Sequence, residues 1–224
     1  MTREVTPMGR LAELIRLFWE RLVQRKDLYP IQLKDGGYTV VRRPLTDDLV
    51  RQHITGQVTL GLYSAPNSTT KWLCIDVDTM DNAALHLLWR RLSQLQMPYS
   101  TEFSGRKGYH IWVFFSAPVQ NRIARELGRL ITRDHEVFPK QDIIAEGGLG
   151  NLVKAPLGIH RVTGKRCLFV GEDLKVFPDQ LKALSEQRTI DPQQVLGVDL
   201  VNRVRGLLSR PNCRLLCDMG RKGL

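Results

Sequence analysis

Apolar residues recur at helical spacing in some stretches of this chain and run nearly unbroken in others. Leu11, Leu14, Ile15, Phe18 and Leu22 share one face and predict an amphipathic helix over residues 8–25, with Arg16, Arg21 and Arg25 on its polar face. Gly36-Gly37 marks a turn into a strand over Tyr38–Arg42, and Thr46 with Asp47 and Asp48 opens a second helix that Gly56 ends. Thr59–Ser64 and Trp72–Asp78, either side of Pro66-Asn67-Ser68, read as two strands joined by a turn. Leu85, Leu88, Leu92 and Leu95 set a helix over Asp81–Gln96, which Pro98 breaks ahead of a strand at Tyr99–Phe103. The order from residue 72 onward is therefore β-α-β.

Further along, Gly105 and Gly108 punctuate a loop, His110–Phe115 is a buried strand, Pro118 opens a helix reaching about Ile131, and Glu136–Phe138 is extended. Asn151–Leu157, introduced by Gly147-Gly148-Leu149-Gly150, and Lys165–Val170 read as two more strands. Strands alternating with helices and hairpins imply an α/β or α+β fold with a mixed sheet. From about Asp191 the pattern turns helical, with Val195, Val198, Leu200, Val201, Val204 and Leu207 as contacts, and a basic tail closes the sequence. The folded core is expected over residues 1–188, as an N-terminal module at about 8–70 and a second module at about 71–188; residues 189–224 form the helical segment. A natural terminus and a cut from something longer fit that ending equally.

Composition narrows the partners. Lys+Arg number 33 against 23 Asp+Glu, a formal charge of +10, which favours a polyanion such as nucleic acid. No run approaches the ~18 apolar residues of a membrane span, and the N-terminus lacks a signal-peptide pattern, so a cytoplasmic protein without a membrane partner is expected. Cys74, Cys167, Cys213 and Cys217 are too irregular for a disulfide framework; Cys213 and Cys217, with Cys167 or His160, would be half of a zinc site, but no second close-spaced pair supports it.

Chemistry concentrates at Cys74-Ile75-Asp76-Val77-Asp78. Residues two apart in a strand face the same way, so Asp76 and Asp78 would project together, and a divalent cation best relieves their repulsion. The stretch Ser104-Gly105-Arg106-Lys107-Gly108-Tyr109-His110 follows after one helix and one strand. Its glycines let backbone amides approach a ligand while Ser104, Arg106, Lys107 and His110 offer donors, a combination suited to a triphosphate. Tyr109, Trp112 and Phe114 either stack bases or pack the core, and the apolar surroundings of Trp112 favour packing. Trp19, Trp72 and Trp89 read as core, and His53 and His86 as packing or surface residues.

The Asp76-Val77-Asp78 motif followed by Ser104-Gly-Arg-Lys-Gly-Tyr-His110 resembles the first two signatures of the archaeo-eukaryotic primase superfamily. A third block, Phe138–Asp142 followed by Gly150–Arg161, is similar to primase-polymerases of mobile elements and CRISPR-associated loci, and the resemblance spans roughly residues 10–187. It implies a catalytic fold with a mixed sheet related to the RNA-recognition motif, packed with an N-terminal α/β module. It also implies DNA-dependent nucleotidyl transfer: primers made, or strands extended, from NTPs or dNTPs on a single-stranded template. Two Mg²⁺ or Mn²⁺ ions would be held by Asp76, Asp78 and a third acid, for which Asp142 is the first choice and Glu136, alternating properly before Pro139, the alternative. Ser104, Arg106, Lys107 and His110 would hold the triphosphate, with Lys154, His160 and Arg161 as basic groups near nucleotide or template. The implied partners are template, primer strand and nucleotide, with a helicase or mobile-element and CRISPR proteins beyond them. A gap-filling polymerase unable to start primers, a silent nucleic-acid-binding adaptor and a metal-dependent nuclease stay as alternatives.

Overall fold

A computed structural model describes residues 6–196 of the chain. The N-terminal part consists of helix α1 (Pro7–Arg21), the hairpin β1 (Tyr29–Gln32) and β2 (Tyr38–Val41), helix α2 (Asp47–Thr55) and the short strand β3 (Gly61–Leu62). Helix α2 is capped as its sequence requires: the Thr46 hydroxyl accepts from the Leu49 amide, and Gly56 ends the helix at φ +91°.

The central part runs β4 (Thr69–Val77), α3 (Asn82–Gln94), β5 (Ser100–Phe103), β6 (Tyr109–Gln120), α4 (Asn121–Ile131) and β7 (Glu136–Phe138). Its strands lie in the order β7-β4-β6-β5, neighbours antiparallel. That is the split β-α-β arrangement of ferredoxin-like and RNA-recognition-motif sheets: each crossover helix spans a pair of parallel strands with a third inserted between them. The chain closes with β8 (Val153–Lys154), β9 (Phe169–Val170), α5 (Gln180–Ser185), β10 (Thr189–Ile190) and α6 (Pro192–Leu196). Strand β9 extends the sheet beyond β5, and β10 pairs with β6 in parallel, which makes the sheet mixed.

Period-two alternation divides the central sheet into two faces. Leu73, Ile75, Val77, Ile111 and Val113 point to one face and pack with Leu85, Leu88, Leu92, Ala124 and Leu127 of α3 and α4. Trp72, Cys74, Trp112, Phe114 and Phe169 point to the other, where Leu17, Phe18 and Leu22 and residues of β3 and β8 cover them. Both faces of β4 and β6 are thus buried, and their sequences read as continuous apolar runs for that reason. Trp112 and Phe114 belong to this core, and Trp72 meets Trp112 edge-on. Trp19 is only partly buried; its indole N–H donates to Asp47.

Several elements depart from the sequence expectation. Strand β3 does not form a hairpin with β4; it pairs antiparallel with β8, a partner about 90 residues later in the chain. The turn at Pro66–Ser68 exists, with Ser68 at φ +61°. Pro118 lies within β6 rather than opening a helix, in a stretch where the register with β4 shifts between Thr70 and Trp72, so its missing N–H interrupts no regular ladder. The strands expected over 151–157 and 165–170 shrink to two residues each, and Thr189–Ile190 extends the sheet past the expected boundary at 188. The remaining apolar contacts of the C-terminal segment, the basic tail, Cys213 and Cys217 lie outside the described residues. No helix among the described residues is long and apolar enough to cross a membrane.

One buried polar side chain ties the N-terminal part to β8. His53 is fully buried; its Nδ1 accepts from the Leu60 amide at 3.0 Å, and its Nε2 donates to the Pro156 carbonyl at 2.8 Å. Burial lowers its pKa from 6.5 to about 4. His135 and His160 are lowered by burial too. An unfolded chain binds these protons from pH 6.5 downward while the folded chain does not, so the neutral imidazoles contribute stability that is full above pH 6.5 and is lost toward pH 4. His53 alone accounts for about 3 kcal/mol of that loss. Urea midpoints measured at pH 7, 6, 5 and 4.5 should fall steadily, and a flat profile would show that the ring is not held neutral.

Candidate active site

The paired strands bring four ionisable side chains into one lateral row. Glu136 of β7 lies opposite Asp76 of β4, Asp76 opposite His110 of β6, and His110 opposite Glu102 of β5. Cross-strand partners share a face, so the row reads Glu136, Asp76, His110, Glu102 on the side that carries Cys74 and Trp112. Neighbouring strands are ~4.8 Å apart, which makes this a ladder of charge with the sheet as its ruler. Asp78 follows the end of β4 and is exposed, and Lys107 lies 3.5 Å from it.

The loop between β5 and β6 is pressed against the end of β4. A Cβ on Gly108 would come within 2.1 Å of the Val77 carbonyl oxygen, so only glycine lets the loop lie there. Gly105 adopts φ +89°, and the Ser104 amide donates to the Gly108 carbonyl at 3.0 Å, closing the turn. Arg106 and Lys107 are exposed at its tip, and Tyr109 is packed in the core.

Glu102, which sequence reasoning missed, organises the row from behind. It is fully buried. One carboxylate oxygen accepts from His110 Nδ1 and from the Trp112 indole, each at 2.9 Å, while the other accepts from Lys154 Nζ at 2.6 Å. Burial pushes its pKa up, but the Lys154 ammonium and His110 outweigh that and hold it below the usual carboxylate range. Burial likewise works against the charge on Lys154, and the Glu102 carboxylate reverses the effect. Lys154 was expected among the basic groups near nucleotide or template; its ammonium is instead buried and committed to Glu102 and the Ala155 carbonyl. The signal for Glu102 was a lone acid within a short, otherwise uncharged strand, a position that demands a buried cation.

With Nδ1 held by Glu102, His110 turns Nε2 toward Asp76, 3.8 Å from its Oδ1. Asp76 is partly buried, and burial raises its pKa; His110 opposes this, while Asp78, Glu136 and Glu102 add to it. A carboxylate under that pressure favours a cation. Glu136 is exposed and takes Lys140 Nζ at 2.6 Å. Asp142, the first choice as third acid, lies outside the strand and is ion-paired with Arg125 of α4. The position in register with Asp76 belongs to Glu136. Among the described residues no group of three or more His, Cys, Asp or Glu stands close enough, as placed, to hold a metal ion.

His160 is buried within the field of Lys154, Arg106 and His110, which joins burial in lowering its pKa. Its Nδ1 and one Arg161 guanidinium nitrogen are buried without a hydrogen-bond partner. Such orphan polar atoms are costly unless a ligand supplies the missing contact. Ser104 is half-buried beneath the same loop, so the structure gathers Ser104, Arg106, Lys107, His110 and His160 around the head of β6.

The motif order and the sheet therefore agree, and comparison with known proteins identifies the group. A family model described as "TOTE conflict system, Archaeo-Eukaryotic Primase domain" matches residues 18–198. The chain belongs to this family of archaeo-eukaryotic primase domains. The expected fold class, an α/β catalytic fold with a sheet of the RNA-recognition-motif type, is the one observed.

Solved structures similar to this primase domain include the archaeo-eukaryotic primase domain of the cyanophage S-2L primase-polymerase, at 13% identity and TM-score 0.46, covering 83% of this chain and 100% of that one. The catalytic domain of primase RepB′ in complex with initiator DNA matches at 11% identity and TM-score 0.47, covering 90% and 98%. The polymerase domain of Mycobacterium tuberculosis ligase D in complex with DNA matches at 13% identity and TM-score 0.38, covering 90% and 89%. No curated protein matches this sequence.

Proposed function

We propose that this domain is a DNA-dependent primase-polymerase, joining NTPs or dNTPs on a single-stranded template by nucleotidyl transfer. The observation that carries the reading is the row Glu136, Asp76 and His110 on one face, with the donor-rich loop 104–108 beside it. Asp76, Asp78 and Glu136 would hold Mg²⁺ or Mn²⁺, since their donors are all carboxylate oxygens and their mutual repulsion favours a hard cation. Bound there, divalent ions supply activation of a 3′-hydroxyl and neutralisation of charge on the phosphates. Glu136 is preferred to Asp142 because it shares the register position of Asp76 and its present partner, Lys140, is a side chain that a cation can displace.

The residues of the chain itself do the positioning. Glu102 fixes the His110 ring so that Nε2 is the nitrogen left for a phosphate oxygen. Ser104, Arg106 and Lys107 add donors from the loop, and the orphaned His160 and Arg161 nitrogens supply two more for the tail of a triphosphate. The family description supports a setting in a conflict system.

Labelled NTPs or dNTPs offered with unprimed single-stranded DNA and Mn²⁺, with product lengths read on a gel, test the reading. Products from unprimed template are expected. Products only from a primed template would reduce the domain to a gap-filling polymerase, template binding without product to an adaptor, and cleavage without nucleotide would make it a nuclease.

A further inference from the structure

At the outer edge of the sheet, β7 and α4 enclose a recess of about 370 Å³ lined by Arg125, Arg129, Thr132, Arg133, His135, Glu136, Val137 and Lys140. Four permanent cations face a single carboxylate there. Arg125 and Arg129 are one turn apart on the same face of α4, and Arg133 follows just past its end, after Thr132 has turned to extended backbone. Arg125 pairs with Asp142 and Lys140 with Glu136, whereas Arg129 and Arg133 are exposed and make no side-chain hydrogen bond or ion pair with any of the described residues.

The position of the recess matters as much as its charge. Glu136 both lines it and stands opposite Asp76. The donor loop 104–108 joins β5 to β6, on the other side of Asp76 in the strand order β7-β4-β6-β5. Helix α4 covers the face of the sheet opposite the row, so a strand lying in the recess reaches the carboxylates round the free edge of β7, where Glu136 stands, while the loop's donors lie on the far side of Asp76. Resting on the proposed polymerase reading, we propose that the α4–β7 recess binds the phosphodiester backbone of single-stranded nucleic acid and leads it past Glu136 to the carboxylate row. Glu136 repels a phosphate at the inner end, so backbone contact falls to Arg129 and Arg133, and a cation that occupied Glu136 would release Lys140 to join them.

The test measures binding, not synthesis: fluorescence anisotropy of a labelled oligothymidylate with the chain over a range of salt, without divalent ion or nucleotide. Losing two backbone contacts should weaken binding by roughly 20-fold at 0.1 M salt and reduce the salt slope by about 1.4 for R129Q/R133Q. R129K/R133K keeps the charge and should keep the slope, and its melting temperature guards against misfolding. R42Q/R43Q removes the same charge from the N-terminal part and should cost far less. Unchanged binding in R129Q/R133Q, or an equal loss in R42Q/R43Q, overturns the recess. If wild-type chain makes no product yet R129Q/R133Q loses affinity, the recess stands and the polymerase reading falls. If wild-type chain makes product while R129Q/R133Q binds as before, the recess falls and the polymerase reading stands.

Discussion

Replacing Asp76 and Asp78 together by asparagine is expected to abolish nucleotide incorporation while leaving the fold at least as resistant to heat. The two effects share one cause. Asp76 is held at a raised pKa by burial and by the charges of Asp78, Glu136 and Glu102. A group whose folded pKa is raised stabilises the fold only below its unfolded pKa, and the contribution is lost as pH rises through the folded value. At neutral pH the ionised row is therefore a standing strain, and an isosteric amide at Asp76 relieves it. The same charges are what a divalent cation needs, and ion-assisted transfer is worth several kcal/mol in the transition state. Incorporation should drop on the order of a thousandfold or more, with the melting temperature unchanged or raised by a few degrees. Retained synthesis would remove these carboxylates from the chemistry. Lost synthesis with a clearly lowered melting temperature would make them structural.

Glu102→Ala should be the most damaging single substitution for stability. It leaves the Lys154 ammonium buried without a counter-charge and strips the shared acceptor from His110 and Trp112. Removing one partner of a buried ion pair costs about 3–5 kcal/mol, which corresponds to a drop of roughly 6–20 °C in a domain of this size. The double variant E102L/K154M separates packing from positioning, because replacing both partners by apolar groups is often neutral for stability. It should recover the part of the melting temperature lost to the uncompensated ammonium, though not the part due to the unpaired Trp112 indole, and it should not recover nucleotide incorporation, since the His110 ring has lost the acceptor that fixes it. Recovery of both together would show that Glu102 acts on the fold alone.

The parts of this molecule legible in the sequence are those with a local cause. Helix α2 is announced by Thr46 and terminated by Gly56, α3 by its leucine spacing, and the loop over β4 by Gly105 and Gly108. That the strand of Asp76 and the strand entered from the 104–108 loop are neighbours was expected from the order of the two motifs, whereas the register that sets Asp76 opposite His110 was not. What stayed hidden depends on distant partners. Nothing near Gly61 indicates that Val153 and Lys154 will pair with its strand, and Pro118 reads as a helix start until the irregular register beside it is seen. The choice between Glu136 and Asp142 is of the same kind. Both are acids flanking Pro139, and only the alignment of β7 on β4, set by Phe138 opposite Cys74, gives one of them a place beside Asp76.

Because Asp76 and His110 alternate with Ile75, Val77 and Ile111, the alignment that builds the row is also the one that fills the hydrophobic layer under α3 and α4. A slip of one residue between these strands would drive a carboxylate or an imidazole into that layer and turn isoleucine toward the polar row. Chains misaligned by one residue are thus disfavoured by the cost of their own interior, and the packing that fills the sheet also helps to space the groups of the row. Part of the proofreading of the site is thereby done by the folding of the sheet.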